Sequence, residues 1–213
     1  GVARGLTTVF LYHLAFAVYP AVWAYFGQAR FGWNAGMIGL SLGLFGLSMA
    51  VVQAGLIRLL LKAFGERGTA LFGLSFAGLA YGSIAFVTSG TLALVLTPLA
   101  ALGGAFAPAI TAVMSRTVGS ARQGELQGVL TSTGAVAMVF APLIMTATFA
   151  VFTAPERAQP FPGAPFLVSF ALVAAALAQG LPPAEVRRGH GDEPDLGRRG
   201  QGVGAFRLAV VEP

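Results

Sequence analysis

Residues 126 to 152 read LQGVLTSTGAVAMVFAPLIMTATFAVF, a stretch without a single Asp, Glu, Lys or Arg. At a rise of about 1.5 Å per residue, roughly 20 apolar residues cross about 30 Å of hydrocarbon, so this stretch predicts a membrane-crossing helix. Five others share its character: Leu6 to Phe26, Met37 to Ile57, Thr69 to Val87, Thr91 to Met114 and the shorter Pro165 to Leu181. Together they predict an all-α integral membrane protein, with one six-helix transmembrane bundle over residues 1–181 and spans at about 6–26, 37–57, 69–87, 91–114, 126–152 and 165–181. Composition excludes the alternative of a soluble domain. Of the 213 residues 56% are hydrophobic and 10% charged, with a mean hydropathy of +0.77, where an ordinary soluble domain carries about 25% charge.

The net charge of +5 invites a nucleic-acid reading until the basic residues are sorted by loop. Six spans put both ends on one side. On that side fall Arg4, Arg58, Lys62, Arg67, Arg116, Arg122, Arg187, Arg188, Arg198, Arg199 and Arg207; the other side holds Arg30 and Arg157. This positive-inside bias predicts cytoplasmic N and C termini in the inner (plasma) membrane. The charge therefore reports orientation, and no nucleic-acid partner is expected. Residues 182–213 are Arg, Gly, Pro, Asp and Glu without apolar periodicity and read as a disordered cytoplasmic tail. The chain has no cysteine, which excludes disulfides and thiolate metal sites. It opens on Gly1 rather than Met, with no signal-peptide pattern, and reads as a piece of something longer.

Within the spans the chemistry is sparse. No Asp, Glu, Lys or Arg lies inside them, and His13 is the one titratable candidate near neutrality. Tyr19, Trp23, Gln53, Thr111, Ser132 and Thr133, with His13, are candidate lining of an amphipathic path; Tyr12 and Tyr81 have the same character. The aromatics serve equally well as interface anchors. Gly36, Gly39, Gly43, Gly46 and Ala50 recur every three or four residues, on the stripe that continues to Gln53. Such a face favours a tight helix contact, and alternatively a surface that slides during transport. Pro20 and Pro142 are expected to interrupt the first and fifth spans, and Pro98, Gly103, Gly104 and Pro108 to bend the fourth. An enzyme is not expected. Gly39-Leu40-Ser41-Leu42-Gly43 has the Gly-x-Ser-x-Gly form, but it lies inside the glycine stripe, and His13 precedes the serine where rhomboid-type proteases place histidine after it.

Tyr19-Pro20-Ala21-Val22-Trp23, then Arg30-Phe31-Gly32-Trp33-Asn34 and Met37-Ile38-Gly39-Leu40-Ser41-Leu42, form an ordered series with four later segments. Those are Gly65-Glu66-Arg67, Val113-Met114-Ser115, Gln123-Gly124-Glu125-Leu126-Gln127-Gly128 and Pro142-Leu143. The series resembles the C-terminal half of tetracycline-efflux-like transporters of the major facilitator superfamily, over roughly Leu6 to Leu181. That resemblance implies a proton-driven drug antiporter of two six-helix bundles, working by alternating access, with the first, second, fourth and fifth spans of this half facing the path. Its partners would be the bilayer, protons, a small amphipathic organic substrate, and the missing N-terminal half or a second copy in a homodimer. A non-transporting truncated remnant is the third possibility. No cofactor or metal is implied. Two departures stand out: Ala77 occupies a third-span position where such pumps often carry aspartate, and Arg58 and Lys62 replace the usual second-loop pattern. Arg122, Gln123, Gly124, Glu125, Gln127 and Gly128 are the candidate cytoplasmic gate, with Glu125 at a helix N-terminus and Arg122 three residues back.

Overall fold

Two of the helices start where a side chain takes one of the first free amides. Asn34 accepts from the Met37 amide at 2.9 Å and Ser89 from the Leu92 amide at 3.4 Å, each in extended backbone just ahead of a helix. A computed structural model describes residues 2–118 and 120–181, and among these every element is helical. The 182–213 tail lies outside the described residues. In order come α1 (Val2–Phe16), α2 (Val18–Phe31), α3 (Ala35–Val51), a π-helical turn (Val52–Leu56) and α4 (Ile57–Phe86). Then follow α5 (Gly90–Ala101), a 3-10 turn (Leu102–Ala105), α6 (Phe106–Ser115), a second 3-10 turn (Ser120–Arg122), α7 (Gln123–Phe152) and α8 (Ala164–Ala178). Four continuous helical stretches are long and apolar enough to cross a membrane: Val2–Phe31, Ala35–Phe86, Gly90–Ser115 and Gln123–Phe152. Ala164–Ala178 is apolar but shorter.

Ala35–Phe86 does not run straight. Gln53 bonds to the Gly104 carbonyl, while a Cβ built on Gly73 would meet the Phe106 backbone nitrogen at 2.5 Å, so positions 53 and 73 both adjoin residues 104–106. In one straight helix they would lie about 30 Å apart. The chain therefore doubles back between them, and the break is Gly65, at φ 66° and ψ −178°. That backbone region is essentially confined to glycine. Helix resumes at once, with the Thr69 hydroxyl donating to the Gly65 carbonyl at 2.7 Å. Gly65→Ala is expected to destabilise the bundle by about 1–3 kcal/mol, the usual cost of such strain, although the space around it is open. Thermal unfolding in detergent, with Gly124→Ala in open helical space as control, measures it.

Prolines act unequally. Pro20 withholds the amide that would serve Phe16, and the α1–α2 break falls at Ala17, whose ψ is −7°. Pro98 and Pro108 flank the 3-10 turn that splits the Gly90–Ser115 stretch. Pro142, expected to interrupt its helix, instead lies inside an unbroken α7. Its carbonyl accepts from the Thr146 hydroxyl, one turn on, at 2.6 Å.

The core is aromatic at its centre: Tyr12, Tyr19, Trp23, Phe26, Phe106 and Phe166 are all buried. At one end α2 closes on Gly32 (φ 66°), with the Gly32 amide on the Gln28 carbonyl, an αL ending, and the Trp33 amide on that of Gly27. This turn lays the Trp33 indole between Gly27 and Gly90, where a Cβ would come within 2.7 and 2.6 Å of it.

Two helices stay largely uncovered. Of its seventeen residues α3 buries only Ile38 and Ser41. In α7 one stripe is buried, Leu126, Leu130, Gly134, Ala137, Ala141 and Met145, and Val136, Val139, Phe140 and Leu143 are exposed. The tight contact expected of the glycine stripe is absent among the described residues. Gly36, Gly39, Gly43, Gly46 and Ala50 are all exposed, and a Cβ on Gly39, Gly43 or Gly46 would meet nothing within 4 Å. The helix packs through Ile38 and Ser41 because the Trp23 indole donates to the Ser41 hydroxyl at 2.8 Å, which turns the glycines outward.

Candidate functional site

Where α1 passes the start of α7 the two helices leave a groove of about 670 Å³. Small residues create it. Gly128 has no side chain to fill it, and Ser132 and Thr133 follow one turn later, opposite Leu6, Thr7 and Phe10 of α1. Val129 and Val136 supply the apolar wall, and Glu125 brings a carboxylate to one end. A smaller hollow of about 190 Å³ adjoins it, sharing Leu6, Glu125 and Val129 and adding Val118, Arg122 and Leu126. The groove is mostly apolar with hydroxyls and one acid, a lining suited to amphipathic molecules. The Thr7 and Thr133 hydroxyls donate to the carbonyls of Ala3 and Val129 and remain able to accept. His13 lies deeper between the same helices, half-buried, against Gly134, where a Cβ would stand 3.4 Å from its ring.

Glu125, Gly128, Ser132 and Thr133 are thus brought together, and Arg122 joins them through Glu125 at 3.6 Å. Both side chains of that pair are mostly exposed, so it contributes at most about 1 kcal/mol and is free to exchange partners. Gln123 is committed elsewhere: its amide donates to the Ser115 carbonyl at 2.7 Å and the Val118 carbonyl at 3.4 Å, closing the end of α6. Gln127 and Gly124 are exposed beside it.

The other candidates lie apart from the groove. Tyr19 and Trp23 are in the core, 4% and 2% exposed, with rings 5.4 Å apart. The Tyr19 hydroxyl is buried without a hydrogen-bond partner among the described residues. Thr111, on α6, is half-buried and donates to the Ala107 carbonyl. Gln53 stands exposed in the π-turn, reaching the Gly104 carbonyl at 3.2 Å. Ala77 is buried against Gly103, where a Cβ would come within 2.9 Å of it.

Sequence reasoning missed two features. The first is an ion pair between Glu66, after the Gly65 break, and Arg116, after α6, with Arg116 Nη2 at 2.7 Å and Nε at 3.0 Å from one oxygen. Sorting charges by side puts both in loops of the same face, which is the signal that could have paired them. The second is the Tyr12 hydroxyl, which donates to the Gly103 carbonyl at 3.0 Å. Nothing local in the sequence announces it.

Similarity is to the tetracycline resistance protein of class C from Escherichia coli, 40% identical over 149 residues, covering 70% of this chain and 38% of that protein. The class G protein from Vibrio anguillarum is 37% identical over 149 residues, with the same coverages. The class E protein from Escherichia coli is 36% identical over 141 residues, covering 66% and 35%. The chain therefore spans well under half the length of these relatives. No solved structure matches it. Residues 5–209 match the Major Facilitator Superfamily, and with its apolar helices, kinked at glycine and proline, the chain belongs to that family of membrane transporters.

Proposed function

We propose that the chain is the C-terminal six-helix half of a proton-coupled drug efflux antiporter of the tetracycline-resistance type, working by alternating access. The observation that carries this reading is the 40% identity to the class C protein over 149 residues. The uncovered faces of α3 and α7 support it, because apolar helices exposing glycine and small residues suit docking against a second bundle. In this reading the chain crosses six times, reversing at Gly65 on the cytoplasmic side with Arg58, Lys62 and Arg67, and both termini are cytoplasmic. The α1–α7 groove forms part of the substrate path, and Arg122 and Glu125 sit at its cytoplasmic mouth as the gate. With Ala77 where pumps of this type often carry an acid, the proton site is assigned to the other half.

The test is tetracycline uptake into inverted membrane vesicles driven by a pH gradient. The chain alone is expected to give none. Co-expressed with the N-terminal half of the class C relative, it should give uptake that collapses with the gradient. Failure of the pair, with both halves present in the membrane, overturns the reading. Uptake by the chain alone, as a dimer by native mass measurement, would instead establish a homodimeric half-transporter, since a second copy would cover the same two faces.

A further inference from the structure

The split between α5 and α6 deprives the Gly104 carbonyl of the amide that a continuous helix would give it, and shortens the bond at Gly103 to the 3-10 kind. Pro108 has no amide to offer the Gly104 carbonyl four residues earlier, and the Gly103 carbonyl takes the Phe106 amide in the tighter 3-10 arrangement. Away from water an unserved carbonyl is costly, so such a break persists only where neighbours serve it. Here two separate helical stretches supply donors, one to Gly104 and one as a second donor to Gly103. The Tyr12 hydroxyl of α1 donates to Gly103 at 3.0 Å, and the Gln53 amide donates to Gly104 at 3.2 Å. Gln53 belongs to the π-helical turn Val52–Leu56, an irregularity that often marks functional positions. The break is also thin on both flanks. A Cβ on Gly104 would fall 2.5 Å from the Met49 sulfur, and one on Gly103 would fall 2.9 Å from Ala77.

We propose that Tyr12 and Gln53 are positioning residues of the transport cycle: their bonds to the Gly103 and Gly104 carbonyls set the bend of the fourth crossing, and release of Gly104 by Gln53 lets that bend change. The two donors differ in kind. Tyr12 is buried and aromatic-packed, 4.4 Å from the Phe106 ring, so its bond is the fixed one. Gln53 is exposed on a flexible side chain, so its bond is the one that lets go. This rests on the proposed transport function.

Pro108→Ala supplies the test, because it restores a backbone amide that can serve Gly104 in place of Gln53. In vesicles holding both halves, Gln53→Leu is expected to lower the maximal exchange rate about tenfold, the worth of one hydrogen bond, with half-saturation changed less than about twofold. In the Pro108→Ala background the same substitution should change the rate less than about twofold. Tyr12→Phe, which keeps the ring, should lower the rate without being rescued by Pro108→Ala. Amide hydrogen exchange of residues 103–107, read on the chain alone in nanodiscs, should accelerate in Gln53→Leu and return toward the parent value in the double variant. Gln53→Leu without effect on amide exchange, or equal losses in both backgrounds, overturns the proposal. Amide coupling present while the paired halves fail to transport overturns the proposed function and confines Gln53 to fixing the helix bend.

Discussion

Gly73→Val is expected to lower the melting temperature of the detergent-solubilised bundle more than any other single-glycine change in α4. The reason is backbone contact. A Cβ at position 73 would stand 2.5 Å from the Phe106 nitrogen, 2.9 Å from its Cα and 3.0 Å from its Cβ. Two of those three atoms are main chain at the start of α6, so no rotamer change relieves the overlap. Either α4 and α6 separate, losing the packing of Leu74, Ala77, Phe106 and Ile110, or the 3-10 turn is displaced. Overpacking of this kind costs about 1–3 kcal/mol before the added methyls of valine are counted, and better helix propensity returns about 1 kcal/mol at most. Gly39→Val is the control. It adds the same side chain on α3, in open space, and should leave the melting temperature of the chain alone nearly unchanged. Equal shifts for the two would refute the claimed close approach at Gly73.

Trp23→Ala carries the second large effect. The indole is buried among Tyr19, Phe26, Trp33 and Phe166, with ring centroids between 5.4 and 6.0 Å, and its Nε1 donates to Ser41. Truncating a buried tryptophan in a water-soluble core costs about 3–5 kcal/mol. Lipid is as apolar as the core, so the transfer part largely cancels; the cavity and the lost ring contacts remain, leaving about 2–3 kcal/mol. The partner's side of the bond gives a graded series. Ser41→Ala leaves the indole N–H buried and unserved, costing about 1–3 kcal/mol. Trp23→Phe costs less, because the Ser41 hydroxyl keeps its own acceptor, the Ile38 carbonyl at 2.7 Å. Unfolding in a denaturing detergent series should rank them Trp23→Ala, Ser41→Ala, Trp23→Phe. A neutral Ser41→Ala would show that the indole finds another acceptor.

The helical, apolar class was legible because a run such as residues 126 to 152 has one reading in bilayer dimensions. The weak point of the Gly90–Ser115 stretch was legible too, since Pro98, Gly103, Gly104 and Pro108 each remove something that a regular helix needs. What could not be read is which face turns where. Periodicity places Gly36, Gly39, Gly43 and Gly46 on one stripe but does not say whether that stripe meets a neighbour, and one bond from Trp23 to Ser41, eighteen residues apart, settles it. The site divides similarly. Glu125, Gly128 and Ser132 came together because they share a helix face at fours and threes. Three of the pairs that join distant stretches span 91, 51 and 50 residues: Tyr12 with Gly103, Gln53 with Gly104, and Glu66 with Arg116. Local pattern carries no information at such separations. Pro142 shows the limit in the other direction: a residue that breaks helices in principle is absorbed by a long one.

The Trp33 clasp has an optical consequence. The chain holds two tryptophans, both buried, with indole centroids 6.0 Å apart and nearly perpendicular, beside the end of α2 and the start of α5. Its tryptophan emission is therefore a single local gauge. A spectral change on adding a drug reports arrival at, or repacking of, that end of the bundle. Events confined to Glu125 and the groove entrance will leave the emission as it was, and silence there is no sign that nothing bound.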